Sequence, residues 1–340
     1  MLPVAAAAYL LAAPATKVTR GPDQLEPLEH RLRNLSLTAD GVVVGSRGRD
    51  LYRIVGDGDV ELWADFPAVI QGVHATASGA FLVATDDGPR DPGKPCTIYR
   101  AAGADSPRQS VLTLDTATAL KWSLASAADG ALFVGEYGPQ QTGMAYRVFR
   151  SLDDGESWEV VFRAPQRDGV HIHRVAVDPF SGDVWVTVGD GKENRGAWRS
   201  RDGGDTFERV LDSQATGVAF TRDAVYWGED HRKEGRITRL DRRTGRVAEV
   251  LHASRHGPFG GSIYDMTATA DGTVYAATMK YASQPFTATL WRGRERSWEL
   301  LAELPSGPDG AVAVETIAGP DRDGWIHLPG YRYRDEPVVR

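Results

Sequence analysis

Two eight-residue stretches, Ser151-Leu152-Asp153-Asp154-Gly155-Glu156-Ser157-Trp158 and Ser200-Arg201-Asp202-Gly203-Gly204-Asp205-Thr206-Phe207, decide how this chain is read. Both fit the pattern S-x-D-x-G-x-[ST]-aromatic. The chemistry is that of a tight turn. A carboxylate (Asp153, Asp202) can accept bonds from turn amides, a glycine (Gly155, Gly204) can take a positive φ, and an aromatic plugs the sheet. Each copy runs into an apolar strand, Val160-Val161-Phe162 and Val210-Leu211.

A second repeat spreads over the whole chain. A turn signal recurs at Asp40-Gly41, Ser78-Gly79, Asp129-Gly130, Ser181-Gly182, Arg222-Asp223, Asp271-Gly272 and Asp323-Gly324. Apolar strands follow it, among them Phe81-Leu82-Val83, Leu132-Phe133-Val134, Val184-Trp185-Val186 and Val225-Tyr226-Trp227. Hairpin signals roughly 40–50 residues apart match the period of a β-propeller, whose blades are four-stranded sheets. Long helical periodicity is absent. The expected fold class is all-β, a seven-bladed β-propeller, with six or eight blades as the alternatives.

The expected organisation is one domain over residues 1–340, with blade repeats starting near 36, 70, 118, 170, 215, 262 and 311. The last unit lacks room for its outer strands. Residues 8–28 are expected to complete it, so that strands from the two chain ends close the ring and remove an exposed edge.

Composition agrees with a turn-rich globular protein: 37 Gly, 19 Pro, 9 Trp and 11 Tyr, with 25% charged and 41% hydrophobic residues. The net charge of −7 gives no electrostatic basis for nucleic-acid binding. The lone cysteine, Cys96, excludes an intramolecular disulfide and any cysteine-based zinc cluster. Residues 2–15 read better as a propeller strand than as a signal segment, because no Lys or Arg precedes them and Pro3 and Pro14 interrupt them. That reading slightly favours a cytoplasmic location, with secretion the alternative. No apolar run reaches the ~20 residues of a membrane span.

The two octapeptides resemble the Asp-box, or bacterial neuraminidase repeat, of sialidase-like propellers. The resemblance implies a superfamily that includes exo-sialidases, xyloglucan-type glucanases, and propeller lyases and hydrolases of uronate-containing glycans. A sialidase of this kind needs three arginines converging on a carboxylate, a Tyr nucleophile with a Glu partner, and an Asp. Here only Arg31 and Arg33 lie near an inner-strand start, and Arg174 has the wrong parity relative to His173. Glu136 and Tyr137 are adjacent, so they point to opposite sides of a strand. Sialidase activity is not expected.

Propeller geometry predicts which residues share a face. The starts of inner strands and the ends of second strands emerge together, at the mouth of the central channel, while Asp-box turns emerge on the other side. The mouth is thus expected to carry His74, Lys121, Trp122, Glu136, Tyr137, His171, His173, Asp190, Glu229, Asp230, His231, Lys280, Tyr281 and Glu315. Further mouth positions include Gln71, Asp86, Asp87, Tyr264 and Asp265. The set suits a polar small-molecule or glycan ligand. His171-Ile172-His173 places two imidazoles on one side of a strand, able to hold a metal or act on a substrate together.

The candidate catalytic residues are His171, His173, Glu136, Tyr137 and Asp190, with the remaining mouth residues binding substrate. The function expected first is a carbohydrate-active enzyme. A hydrolase would use two facing carboxylates from among Glu136, Asp190 and Glu229. A uronate lyase would use His or Tyr to take the proton next to a carboxylate, with Lys121 or a metal neutralising the developing charge. The sequence requires no cofactor, and a divalent metal at His171 and His173 is compatible with it. The alternatives are a non-catalytic recognition or assembly propeller, and a metal-assisted small-molecule biosynthetic enzyme on the same pocket. Oligomeric state is not encoded in these patterns.

Overall fold

The computed structural model describes residues 17–20, 25–56, 58–86, 95–114, 118–138, 146–165, 171–190, 195–231 and 233–334. The expected strand at residues 9–13 and the mouth residue Asp87 lie outside these ranges. The described residues form seven β-sheets, six of four or more strands and a seventh of three.

Blades 1 to 6 span residues 33–65, 70–114, 124–163, 171–211, 215–252 and 266–303, each an antiparallel meander in chain order. Blade 7 contains Trp325–Leu328 and Tyr331–Arg334, with Ala318 bridging His327 on its inner side. Its outer strand comes from the other chain end. Leu25–Pro27 pairs antiparallel with Tyr331–Arg334, which closes the ring as expected. Lys17–Arg20 runs instead beside Ser297–Glu303, as a fifth, parallel strand of blade 6.

The second strands carry the core. Phe81–Thr85, Val184–Gly189 and Ala224–Glu229 are buried at every position, so they read as continuous apolar runs rather than alternating ones. Their side chains pack against the neighbouring blade on either side. Hydrophobic clusters straddle each successive pair of sheets, and Ala318 meets Leu35 and Val43 where blade 7 meets blade 1. Burial between sheets supplies the main favourable term, and closure packs each sheet between two neighbours.

Both octapeptide turns join third and fourth strands, at Ser151–Trp158 and Ser200–Phe207. Asp153 Oδ1 accepts from Ser151 Oγ (2.8 Å) and from the Ser157 amide (2.8 Å), while Gly155 N donates to Ser151 Oγ (2.8 Å). Asp202, Ser200, Thr206 and Gly204 repeat the pattern. Gly155 and Gly204 have φ of 95° and 107°, which their lack of a Cβ permits. These bonds hold both carboxyls down at about 2. Each turn is also tied to the preceding blade, Asp154 by Arg100 and Asp205 by Arg150 (2.8 Å).

Among the described residues no helix is long and apolar enough to cross a membrane.

Candidate metal centre and channel

Blade 4 builds the most concentrated polar cluster. His171 pairs with Gly189, but the register slips between Ile172 and Arg174, leaving His173 as an extra residue on the inner strand. Such a bulge shortens the local rise. The two imidazole centroids are 4.9 Å apart. His171 Nε2 and His173 Nε2 lie 3.1 Å apart. Asp190 reaches both, with Oδ2 3.2 Å from His171 Nε2 and Oδ1 3.7 Å from His173 Nε2.

Several features fix these groups. A Cβ on residue 189 would fall inside the His173 ring, so only glycine leaves the imidazole its place. Asp190 follows with φ of 71°, a left-handed conformation that Asp tolerates better than most residues. His173 Nδ1 is 3.3 Å from the Ala215 carbonyl oxygen, which can only accept. The proton therefore sits on Nδ1, and the Nε2 lone pair faces the cluster. The Tyr137 ring lies 4.2 Å from that of His171. Burial, followed by the neighbouring His171, lowers the His173 pKa to about 4.

Both histidines are buried, while the Asp190 side chain keeps 31% of its surface exposed. Gln214 Nε2 donates to Asp190 Oδ1 (2.5 Å) and reaches Asp230 Oδ2 at 3.5 Å, and Ser262 donates to Asp230 Oδ1 (2.6 Å). Beyond them Tyr264 and Tyr281 share a hydroxyl bond of 2.9 Å. Burial, with the charge of Asp230, pushes the Tyr264 phenol well above its usual range, so it stays protonated. A polar rim therefore runs from blade 4 to blade 6.

A divalent cation would fit the cluster. Metal bonds of about 2.0–2.2 Å set neighbouring ligand atoms roughly 3.0–3.6 Å apart, close to the three spacings here. Two imidazoles and a carboxylate suit zinc, manganese or iron. The Ala215 bond to His173 Nδ1 is the outer contact that orients a metal-binding imidazole. His171 Nδ1 is buried with no hydrogen-bond partner among the described residues. It is the only group of three or more His, Cys, Asp or Glu among them with this geometry.

The other expected residues are held elsewhere. Glu136 is 1% exposed and bound by Arg147 through Nε (2.9 Å), Nη2 (2.5 Å) and the backbone amide (2.8 Å). Glu229 takes the corresponding position in blade 5, paired with Arg236 at 2.7 Å. Neutralised and buried, both act as staples between second and third strands rather than as a facing carboxylate pair. His231 lies 3.6 Å from Glu234, and Lys280 joins the fold by backbone bonds to Val312.

Lys121, Trp122 and Glu315 close the channel. Lys121 Nζ meets Glu315 Oε2 at 3.1 Å, and Trp122 Nε1 donates to the Glu315 carbonyl (2.8 Å). Blades 3 and 7 are not neighbours in the ring, so these bonds cross the axis. Arg174, set aside above on parity, does the same. The bulge at His173 resets the alternation, and Arg174 reaches Asp265 (2.6 Å), the Thr216 carbonyl (2.6 Å) and the Tyr264 carbonyl (3.0 Å). His74 lies deeper in the channel, 2.9 Å from Ser126. Gln214 escaped the sequence reading because it sits one residue before its inner strand; extending the mouth rule upstream by one position finds it.

No family model and no curated protein matches this chain. Solved structures do. A chain of the mitotic checkpoint complex is 13% identical with a TM-score of 0.61, over 97% of this chain and 99% of that one. Oligogalacturonate lyase in complex with manganese is 12% identical with a TM-score of 0.64, over 93% and 94%. The Dos1 propeller is 12% identical with a TM-score of 0.51, over 92% and 93%. At these identities the likeness is one of fold, and it places the chain among the β-propellers.

Proposed function

We propose that this propeller is a metal-assisted carbohydrate-active enzyme of the lyase type, acting on uronate-containing glycans at the rim formed by blades 4 to 6. The observation that carries the reading is the convergence of His171, His173 and Asp190 on one point. His171, His173 and Asp190 would hold a divalent cation there, which would bind a uronate carboxylate and ease loss of the neighbouring proton. The base takes that hydrogen, its electron pair forms a double bond to the next carbon, and the glycosidic oxygen leaves and takes a proton. Tyr137, a phenol packed on His171, is the candidate for moving the proton. Gln214 holds Asp190 in place, and the Tyr264–Tyr281 hydroxyls offer sugar contacts.

The hydrolase alternative loses Glu136 and Glu229 to their arginines. The likeness to oligogalacturonate lyase is compatible with the substrate class, though a shared fold carries no activity by itself. Propeller resemblance through the Asp-box adds the same broad glycan expectation. A recognition propeller is the second reading, favoured by the channel's closure at the mouth and by the 40% exposure of Tyr281 beside Tyr264.

The test is metal analysis and manganese titration of the purified chain, with ultraviolet detection of unsaturated product from polygalacturonate. Bound metal and product, both lost in His171→Ala/His173→Ala, are expected. Metal-independent glycan binding without product favours recognition, and unchanged metal content in the double variant overturns the site.

A further inference from the structure

The face opposite the candidate metal centre carries the turns between first and second strands and between third and fourth strands. On the blade 4 turn Phe180 is 44% exposed. The turn holds it there. Asp178, fully buried, accepts from the Phe180 amide (3.0 Å) and from Ser181 Oγ (3.0 Å), and pairs with Arg242 at 2.5 Å. Two guanidiniums of blade 5 flank the ring, Arg222 at 5.6 Å and Arg242 at 6.0 Å from its centroid. Asp178 neutralises Arg242, whereas the exposed Arg222 has no carboxylate partner among the described residues. A fixed aromatic beside a guanidinium is the make-up of a protein–protein anchor.

The same face holds a receptor for it. Between blades 2 and 3 the turns form a groove of about 460 Å³, whose apolar lining is Ala77, Ala127, Ala128, Leu132 and Leu152, the last 67% exposed. A cavity of about 150 Å³ takes a benzene ring, so the groove has room for a phenylalanine side chain with an arginine beside it. Its rim is acidic. Asp153 is held by its own turn and Asp154 by Arg100. Asp129 is exposed, accepts from the Ala131 amide (3.1 Å), and has no cation partner among the described residues. The complementarity of groove and anchor therefore rests on Asp129 and Arg222, charges not already paired within the chain.

Groove and anchor lie at equal offsets, on blades 2–3 and 4–5, from the boundary between blades 3 and 4. A two-fold axis lying across the face along that boundary brings each Phe180 over the groove of the other copy, and Arg222 toward Asp129. Such an interface is isologous: it makes every contact twice and closes at two copies. We propose that the chain pairs with a second copy of itself through this face, Phe180 of each entering the groove of the other and Arg222 pairing with Asp129 across the interface. It does not rest on the metal-site reading, because both channel mouths stay open on the outside of the pair.

The experiment is sedimentation velocity of the full chain over a concentration series. A dimer in reversible equilibrium with monomer is expected. Phe180→Glu, Asp129→Arg and Arg222→Glu are each expected to raise the dissociation constant at least tenfold, because each sets like charges opposite one another. The Asp129→Arg/Arg222→Glu double variant reverses the pair and is expected to recover the dimer. All three positions are exposed, and circular dichroism establishes that the variants fold. A monomer throughout the series, which would leave the surface to another partner, overturns the proposal. So does a dimer indifferent to Phe180→Glu, or a double variant no better than the two single charge reversals.

Discussion

Gly189→Ala isolates the packing that defines the candidate metal centre. The backbone at 189 lies outside the left-handed region, so alanine meets no conformational obstacle there. What it meets is the His173 imidazole, which its methyl group would overlap at Cε1, Nδ1 and Nε2. The ring must leave. Its bond to the Ala215 carbonyl goes with it, worth about 1 kcal/mol, and a buried acceptor left unpaired costs about 1–3 kcal/mol more. The expected destabilisation is therefore about 2–4 kcal/mol, read from urea midpoints at constant m-value. In a His173→Ala background the obstacle is gone. There the same substitution is expected to be neutral or mildly stabilising, since glycine within a strand costs roughly 0.5–1 kcal/mol relative to alanine. The coupling between the two positions is thus expected to reach about 2 kcal/mol. Manganese affinity should fall by about 100-fold or more in either single variant, given that losing even an outer contact costs 10–100-fold. Additive stabilities, or manganese binding untouched in Gly189→Ala, would refute the account of how His173 is held.

Arg147→Met leaves the Glu136 carboxylate buried without its partner, and is expected to cost about 2–4 kcal/mol in urea unfolding, since removing one member of a buried pair is strongly destabilising. Adding Glu136→Gln to it should recover most of that loss. Acid should act through His74. Its folded pKa of about 4 lies below the ordinary histidine value of 6.5, so the unfolded chain binds the proton more readily between these values. The stability it confers is full above pH 6.5 and lost as pH falls toward 4, by up to about 3 kcal/mol. His74→Gln is expected to flatten that part of the stability–pH curve, and an unchanged curve would show that His74 does not titrate there.

The architecture was legible because its signals are local and repeated. Each S-x-D-x-G-x-[ST]-aromatic octapeptide specifies its own turn through side-chain bonds spanning four residues, and a hairpin signal needs only adjacent residues. Ring closure was also readable, from the shortfall of strands in the last unit. The site was less legible because its decisive features are non-local. Nothing near Glu136 in sequence says that Arg147 will neutralise it, since the pairing depends on strand register. The strict alternation used for Arg174 failed for a related reason. A single inserted residue at His173 reverses parity for everything after it, and a bulge has no composition that marks it.

That same inserted residue ties the His171–His173–Asp190 cluster to the axial layer. Related register slips occur near the inner-strand starts in blades 1, 2 and 5, between Arg33 and Ser36, Ile70 and Gly72, and Ala215 and Gly217. The extra residue thus recurs from blade to blade, and in blade 4 it is His173. On one side of the bulge His173 turns toward His171 and Asp190 at the rim. On the other, Arg174 turns into the axis, where Asp265 and two carbonyls take up its donors. Without the bulge, regular alternation would hold the imidazoles farther apart and turn Arg174 off the axis, costing the metal cluster its geometry and the channel its partition. Deleting one residue from the inner strand of blade 4 is therefore expected to abolish manganese binding and to release the Arg174–Asp265 pair together, whereas manganese binding retained in the deletion variant would refute the role given to the bulge.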